Sequence, residues 1–195
     1  MVAAALATLA LVAPAAAFDP EATFAKGTTI VGLQVGGGAV NNVEDHRVVS
    51  DISFMNVSPR LSYLPFAPFG SGWLRSAVEP GIQGWFQYYL SPEKVTAEGL
   101  KVALRYHLIG LEFAGLVPYL EMTGGAAGTN LKVLEIRSTF TFVLEGGAGL
   151  SYFVTDRLAV DAGYRFQHIS NGDTSTPNRG FNSNEGVIGV AYYFK

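Results

Sequence analysis

The sequence predicts an all-β protein, an eight-stranded antiparallel transmembrane β-barrel. Eight segments of the 195-residue chain alternate between apolar side chains on one face and small or charged side chains on the other. The connections between these segments are alternately longer and shorter, and the chain ends in the aromatic run Tyr192–Phe194 followed by one lysine. An even number of alternating segments with an aromatic end is typical of barrels that cross a membrane.

The first 17 residues are predicted to be a signal peptide. They are apolar and end in three alanines, and we expect cleavage after Ala17. The basic residues that usually precede such a run are missing, so we expect either that the true start codon lies upstream or that the sequence is truncated at its start. Residues 18–195 then form a single β-barrel domain. The chain has no cysteine, so we expect an exported domain to be stabilised by a closed sheet, a large core or a membrane rather than by disulfides.

The first four segments each repeat an apolar side chain at every second residue. The fourth is the most regular, because Leu100, Val102 and Leu104 alternate with Lys101 and Ala103. Glycines 36–38 end the first segment, and a turn-rich stretch at 65–72 ends the second. In chain order these segments are predicted at about 28–35, 48–64, 73–90 and 100–108.

The last four segments follow the same rule. A polar loop at about 124–131 separates the fifth from the sixth, and a tight turn at Thr155–Arg157 separates the sixth from the seventh. In chain order they are predicted at about 115–123, 135–153, 158–170 and 185–195. The most apolar stretch, 108–120, is interrupted by Glu112, Gly115 and Pro118, so no transmembrane helix is predicted.

Charges of both signs recur on the polar face of the predicted barrel. In a narrow barrel they should pair with one another in the interior rather than line a channel. A soluble β-sandwich or lipocalin-like barrel is the competing prediction, but it gives no reason for the aromatic strand ends. The net charge of −3 and the lack of a basic stripe argue against a nucleic-acid partner. The eight charged residues are Arg75, Glu79, Lys101, Arg105, Glu121, Glu145, Asp161 and Arg165.

The end of the seventh segment carries a His and a Ser on its apolar face. Because side chains alternate along a strand, His168 and Ser170 point to the same side as Tyr164 and Phe166. A Ser hydroxyl becomes an effective nucleophile when a base removes its proton, and residues i and i+2 lie close enough for that contact. Asn171 and Gly172 follow directly and could stabilise an oxyanion through amide groups. In a barrel, this face meets lipid.

The order His168, Ile169, Ser170, Asn171, followed by Pro177, Asn178, Arg179 and Gly180, resembles the signature of the lipid A 3-O-deacylases, the PagL-type outer-membrane acyl hydrolases. This resemblance implies an eight-stranded enzyme that removes the ester-linked acyl chain at the 3-position of lipid A. It implies Ser170 as nucleophile, His168 as general base and Asn171 as part of the oxyanion hole. Asn178, Arg179 and Gly180 are expected to bind substrate, with Arg179 near a phosphate.

The sequence departs from the family signature at one position. The acidic member of the triad would fall at Asn182, which has no carboxylate; Glu185 is the nearest candidate for that role, with Asp173 behind it. An Asn that orients a His is chemically workable. No cofactor and no metal ion are implied. The expected partners are lipid A, or lipopolysaccharide, of the outer leaflet and the membrane itself, and the expected location is the outer membrane of a Gram-negative bacterium.

Two other functions remain open at this point. One is a non-catalytic structural or adhesin-type barrel, which the Asn at position 182 favours. The other is a different lipid-modifying activity, either acyl transfer or hydrolysis of another lipid.

Overall fold

The computed structural model of the protein describes residues 18–41 and 50–195 and confirms the predicted fold class. Eight antiparallel strands close into a barrel in which each strand pairs with the next and the last pairs with the first. The strands are β1 (Thr29–Val40), β2 (Ser53–Tyr63), β3 (Ala77–Ser91), β4 (Thr96–His107), β5 (Leu116–Thr129), β6 (Phe140–Thr155), β7 (Leu158–Ser170) and β8 (Phe181–Phe194). A one-turn helix at Pro20–Thr23 precedes them, and two single-turn 3-10 helices lie at Gly72–Leu74 and Ile109–Leu111. The predicted signal peptide, 1–17, lies outside the described residues.

Alternation along the strands separates an apolar outer wall from a polar interior. In β4, Leu100 and Val102 are 69% and 67% exposed, whereas Lys101 between them is 1% exposed. A wall of this kind matches the lipid-facing band of membrane barrels. Among the described residues, no helix is long and apolar enough to cross a membrane.

The barrel interior is filled by a network of ion pairs, as predicted. Arg105 reaches Glu121 at 2.7 Å and Asp161 at 2.8 Å, and Arg165 reaches the other oxygen of Glu121 at 2.5 Å. Lys101 pairs with Glu145 at 2.7 Å. These groups are almost fully buried, so each charge depends on its partner.

The prediction that Arg75 belongs to this network is wrong. Arg75 follows a 3-10 helix and precedes β3, so the strand alternation does not apply to it. Its guanidinium donates to both carboxylate oxygens of Glu21, at 2.7 Å each, at the end of the barrel that holds the chain termini. This hydrogen bond lowers the pKa of the Glu21 carboxyl below its ordinary value.

Several strand boundaries differ from the prediction; β1, for example, continues through glycines 36–38 to Val40 instead of ending before them, and β4 begins at Thr96. Two further differences lie in β5 and β8. Residues 124–129, predicted as loop, continue β5 because their small side chains fit between β4 and β6. At Gly125, for instance, a side chain would clash with the carbonyl of Leu100. The second difference is β8, which begins at Phe181 rather than at Glu185. That earlier start places residue 182 in the sheet.

The end of the barrel opposite the chain termini, here called the outer rim, has its own buried cluster. Trp85 and Tyr89 of β3 pack with Phe54 of β2 and with Ile169 and Phe181, which pair across β7 and β8. The ends of β7 and β8 are therefore anchored from inside by apolar packing, while their alternate residues face outward.

Candidate active site on the outer wall

His168 and Ser170 lie on the outside of the barrel at the outer rim. Their interior-facing neighbours, Gln167 and Ile169, are buried at 0% and 1% exposure, whereas Tyr164 on the same face as His168 is 50% exposed. The predicted face of β7 is therefore correct. Groups at these positions meet the membrane or its boundary, not the barrel interior.

Asn182 of β8 is the partner of the His168 ring. The two residues are directly opposite each other in the β7–β8 pairing, and His168 Nδ1 lies 2.7 Å from Asn182 Oδ1. Because the amide oxygen can only accept a hydrogen bond, Nδ1 donates. In a neutral ring this leaves Nε2 as the unprotonated nitrogen, which is the form that a general base requires.

The structure does not bring Glu185 to His168. Asn182 and Glu185 are three residues apart in β8, so their side chains point to opposite faces of the sheet. Glu185 is 1% exposed inside the barrel, where its Oε1 accepts from Asn56 Nδ2 at 2.7 Å and lies 3.9 Å from Arg165. Asp173, the second candidate, lies in the loop and accepts from Asn178 Nδ2 at 3.0 Å.

Gly180 packs against the other edge of the His168 imidazole. It has a φ of +62°, and a Cβ on it would lie 2.9 Å from His168 Cε1 and 3.4 Å from Nε2. A positive φ is readily adopted by Gly and costs other residues about 1–2 kcal/mol. The ring is thus placed between Asn182 on one side and the backbone of the loop on the other.

Asn171 organises the loop that connects β7 to β8. Its Nδ2 donates to Ser175 O at 2.8 Å, to Ser175 Oγ at 3.0 Å and to Pro177 O at 3.1 Å, and its side chain is fully buried. Its Oδ1 accepts from the backbone of Asp173 at 3.1 Å. The side-chain amide predicted for the oxyanion hole is therefore engaged in loop contacts, while the exposed Gly172 lies next to it with a φ of +60°.

The three residues predicted to bind substrate have different surroundings. Asn178 accepts from the backbone N–H of Asn171 at 2.9 Å, and its amide donates to Asp173, so it joins the two ends of the loop. Gly180 is buried against His168. Arg179 is exposed, and its backbone N–H donates to Glu135 O at 2.9 Å, which ties this loop to the preceding long connection.

Apolar side chains border Ser170 on the β6 side of the outer wall. Phe142 and Leu144 of β6 lie opposite Ser170 and His168, and both are largely exposed. Within the described part of the chain, no hydrogen bond joins Ser170 Oγ to His168. Such contacts are often long in enzymes without substrate and shorten when substrate binds.

Sequence reasoning missed two features of this site. It placed Asn182 at the position of the third triad member but preferred Glu185 for that role, because β8 was predicted to begin only at residue 185. It also missed Asn184, which accepts a hydrogen bond from Tyr164 Oη at 2.6 Å on the same outer wall. The alternation of β8 would have revealed both residues if its start had been placed correctly.

Comparisons with known proteins identify the family of this chain. The family model described as lipid A 3-O-deacylase (PagL) matches residues 61–191, about two thirds of the chain, including His168, Ser170 and Asn182. No curated protein sequence matches the chain.

Three solved structures illustrate the similarity of fold. The outer membrane enzyme PagL is similar with a TM-score of 0.59 at 17% identity, over 81% of this chain and 97% of that one. Neisserial surface protein A has a TM-score of 0.51 at 21% identity, over 87% and 100% of the two chains. Ail, the attachment invasion locus protein of Yersinia pestis, has a TM-score of 0.51 at 14% identity, over 87% and 99%. All three proteins share this fold, so the fold alone does not give the family. The family model matches most of the barrel, and the chain therefore belongs to the lipid A 3-O-deacylase (PagL) family.

Proposed function

We propose that this protein is an outer-membrane esterase that removes the 3-position ester-linked acyl chain from lipid A, with Ser170 as nucleophile and His168 as general base. Family membership suggests the deacylase activity. The observation that carries the assignment of roles is the shared outward face of His168 and Ser170, together with the 2.7 Å contact between His168 and Asn182. Asn182 takes the orienting position that Glu185 was predicted to hold.

The reaction would proceed through an acyl-enzyme. Ser170 Oγ attacks the ester carbonyl carbon while His168 Nε2 accepts the hydroxyl proton. Collapse of the tetrahedral intermediate breaks the bond to the sugar oxygen, which leaves with the proton from His168. Water then attacks the acyl-serine, gives its proton to His168, and releases the fatty acid as the proton returns to Ser170.

The loop between β7 and β8 supplies the groups around the reacting carbonyl. We assign the oxyanion contact to the backbone N–H of Gly172, two residues after Ser170, since the Asn171 amide is engaged by Ser175 and Pro177. Asn171 then acts as a positioning residue that holds Gly172. We assign to Arg179, which is exposed next to Gly180, the contact with an anionic group on the sugar.

The substrate would reach the site from the membrane. The outer wall is apolar around Ser170, and the interior is occupied by buried ion pairs, so the wall offers the accessible surface. The fold resembles that of outer membrane proteins, and a site at the rim opposite the chain termini is at the depth of ester bonds in the outer leaflet if the termini are periplasmic.

The test is mass spectrometry of lipid A from cells that express the wild type or the Ser170→Ala variant. The wild type should remove one acyl chain, and the variant should lose at least about 10³-fold in rate because the nucleophile is absent. Ser53→Ala, a serine at the outward-facing start of β2, is the matched control and should behave as the wild type.

Product analysis separates the remaining alternatives. Free fatty acid indicates hydrolysis, whereas an acyl chain found on an acceptor lipid indicates transfer. If lipid A is unchanged by a wild-type protein that is folded in the outer membrane, the deacylase proposal is wrong and a non-catalytic barrel becomes the better interpretation.

A further inference from the structure

The outer wall carries a second polar group just below the candidate active site. Asn184 lies opposite Phe166, two residues closer to the chain termini than the His168–Asn182 pair. Asn184 Oδ1 accepts hydrogen bonds from Tyr164 Oη at 2.6 Å and from Asn41 Nδ2 at 3.1 Å. These three residues are here called the Asn184 cluster; Asn184 belongs to β8, Tyr164 to β7, and Asn41 directly follows β1.

The two hydrogen bonds fix which end of the Asn184 amide faces the lipid. With both donors directed at Oδ1, the NH₂ group points away from them, and in the described part of the chain it makes no hydrogen bond. Asn184 is exposed on the outer wall, and Phe166 opposite it and Ile188 farther down β8 are apolar. An amide donor left without a partner in hydrocarbon is costly, so this position indicates a ligand that supplies an acceptor oxygen.

The surroundings of Asn184 define the chemistry of that ligand. The other side chains of the cluster are neutral, and the nearest outward-facing residues farther down β8 are Gly186 and Ile188, so among the described residues this spot has no cation that would favour an anion. A Cβ on Gly186 would meet no atom within 4 Å, which leaves the wall open beside the cluster. A neutral carbonyl oxygen on a chain that continues along the wall satisfies both conditions.

We infer that Asn184 binds the amide carbonyl of the uncleaved acyl chain next to the ester that Ser170 cleaves. This inference rests on the proposed function and specifies its substrate. In lipid A, the ring carbon beside the ester-bearing one carries an amide-linked acyl chain. One strand repeat of two residues separates Asn184 from Asn182, roughly 7 Å along the wall. The two carbonyl groups can therefore occupy successive levels, with the ester near Ser170 and the amide below it.

The test compares two monosaccharide esters that differ only in the neighbouring chain. One carries an acylamido chain, and the other carries an ether-linked alkyl chain of equal length, which lacks the carbonyl. The wild-type protein in phospholipid vesicles should favour the acylamido substrate by about fivefold to tenfold in kcat/KM, the usual effect of one neutral hydrogen bond. Asn184→Leu should abolish the preference by slowing the acylamido substrate alone.

Tyr164→Phe is the graded variant, because it removes one of the two donors that hold Asn184 Oδ1. It should reduce the preference without abolishing it. Gly146→Ala, on the opposite side of β7 where an added Cβ meets nothing, is the matched control and should retain the full preference.

A binding measurement separates this inference from the deacylase proposal. In the Ser170→Ala protein, the side-chain amide signals of Asn184, assigned by their loss in Asn184→Leu, should shift in NMR spectra when the acylamido glycolipid is added and not when the ether analogue is added. Equal shifts with both lipids, or hydrolysis without preference in the wild type, would overturn the role of Asn184 and leave deacylation intact. Shifts specific to the acylamido lipid in a protein that cleaves neither ester would support the binding site and refute the esterase.

Discussion

His168 is oriented by a neutral amide where a carboxylate would be expected in its family. Asn182 Oδ1 holds Nδ1 at 2.7 Å, and among the described residues no carboxylate bonds to the ring, so in the proposed mechanism the imidazolium would form beside a neutral partner. Asn182 can therefore orient the His168 ring without supplying a negative charge to stabilise its protonated form.

Replacing Asn182 tests that separation. Asn182→Asp keeps the shape and the acceptor atom and adds a charge, so the rate of deacylation should rise about tenfold through a charge-assisted hydrogen bond. Asn182→Ala should lower the rate about tenfold to a hundredfold, because the ring is no longer held. Single-turnover rates on purified, vesicle-reconstituted protein give the comparison. A rate lowered by Asp as much as by Ala would show that the ring does not act as the base.

Alternation along a strand predicts which face a residue lies on, but only if the strand has been placed correctly. The outward face of His168 and Ser170 follows from a period of two along β7, and the sequence predicts it correctly. The role given to Glu185 fails for the same physical reason, because three residues within a strand reverse the face. That error arose from the start of β8, whose first residues, Phe181–Asn184, have the polar composition of a loop.

At the scale of elements, the loop between β7 and β8 packs against the site residues and holds them in position. Asn171 ties it together, and Gly180 returns the chain against the imidazole. None of these contacts could be inferred from sequence, since they depend on how ten residues close over the end of a sheet rather than on a repeating pattern.

The contact at Gly180 gives a prediction for this loop. Gly180→Ala imposes a side chain at a φ of +62° and 2.9 Å from His168 Cε1, so the ring must move and activity should fall at least about tenfold. The free energy of unfolding should fall by only about 1–2 kcal/mol, the strain of one residue. Activity and urea unfolding are measured together.

Gly146→Ala is again the control, because β6 leaves room for its methyl group. Full activity in Gly180→Ala would mean that the loop does not position the ring in the working enzyme.

At the scale of the whole molecule, the interior ion pairs connect strands far apart in sequence. Glu121 of β5 receives Arg105 of β4 and Arg165 of β7, with Arg60 of β2 at 3.7 Å. Most of these charges were predicted to face inward from alternation alone, but Arg60 and Glu185 were not, and their partners depend on the closure of the barrel.

Removing the central carboxylate should therefore weaken the whole barrel. Glu121→Gln removes the carboxylate that Arg60, Arg105 and Arg165 share and leaves an excess of buried positive charge, so it should lower the free energy of unfolding by about 3–5 kcal/mol. Urea titration of vesicle-inserted protein, followed by tryptophan fluorescence, measures the change. Glu98→Gln, the same replacement at an exposed position of β4, should change it by less than about 0.5 kcal/mol. Similar effects of the two replacements would indicate that water reaches the interior charges.

Because His168 and Ser170 lie on the outer wall, the reaction rate should depend on the concentration of substrate within the membrane. An enzyme of this kind meets its substrate as a component of a two-dimensional phase, so the relevant quantity is the mole fraction of substrate in the leaflet rather than its amount per volume. Adding inert phospholipid at constant substrate and protein should slow the reaction by surface dilution, while diluting the whole suspension with buffer should leave the rate per protein unchanged.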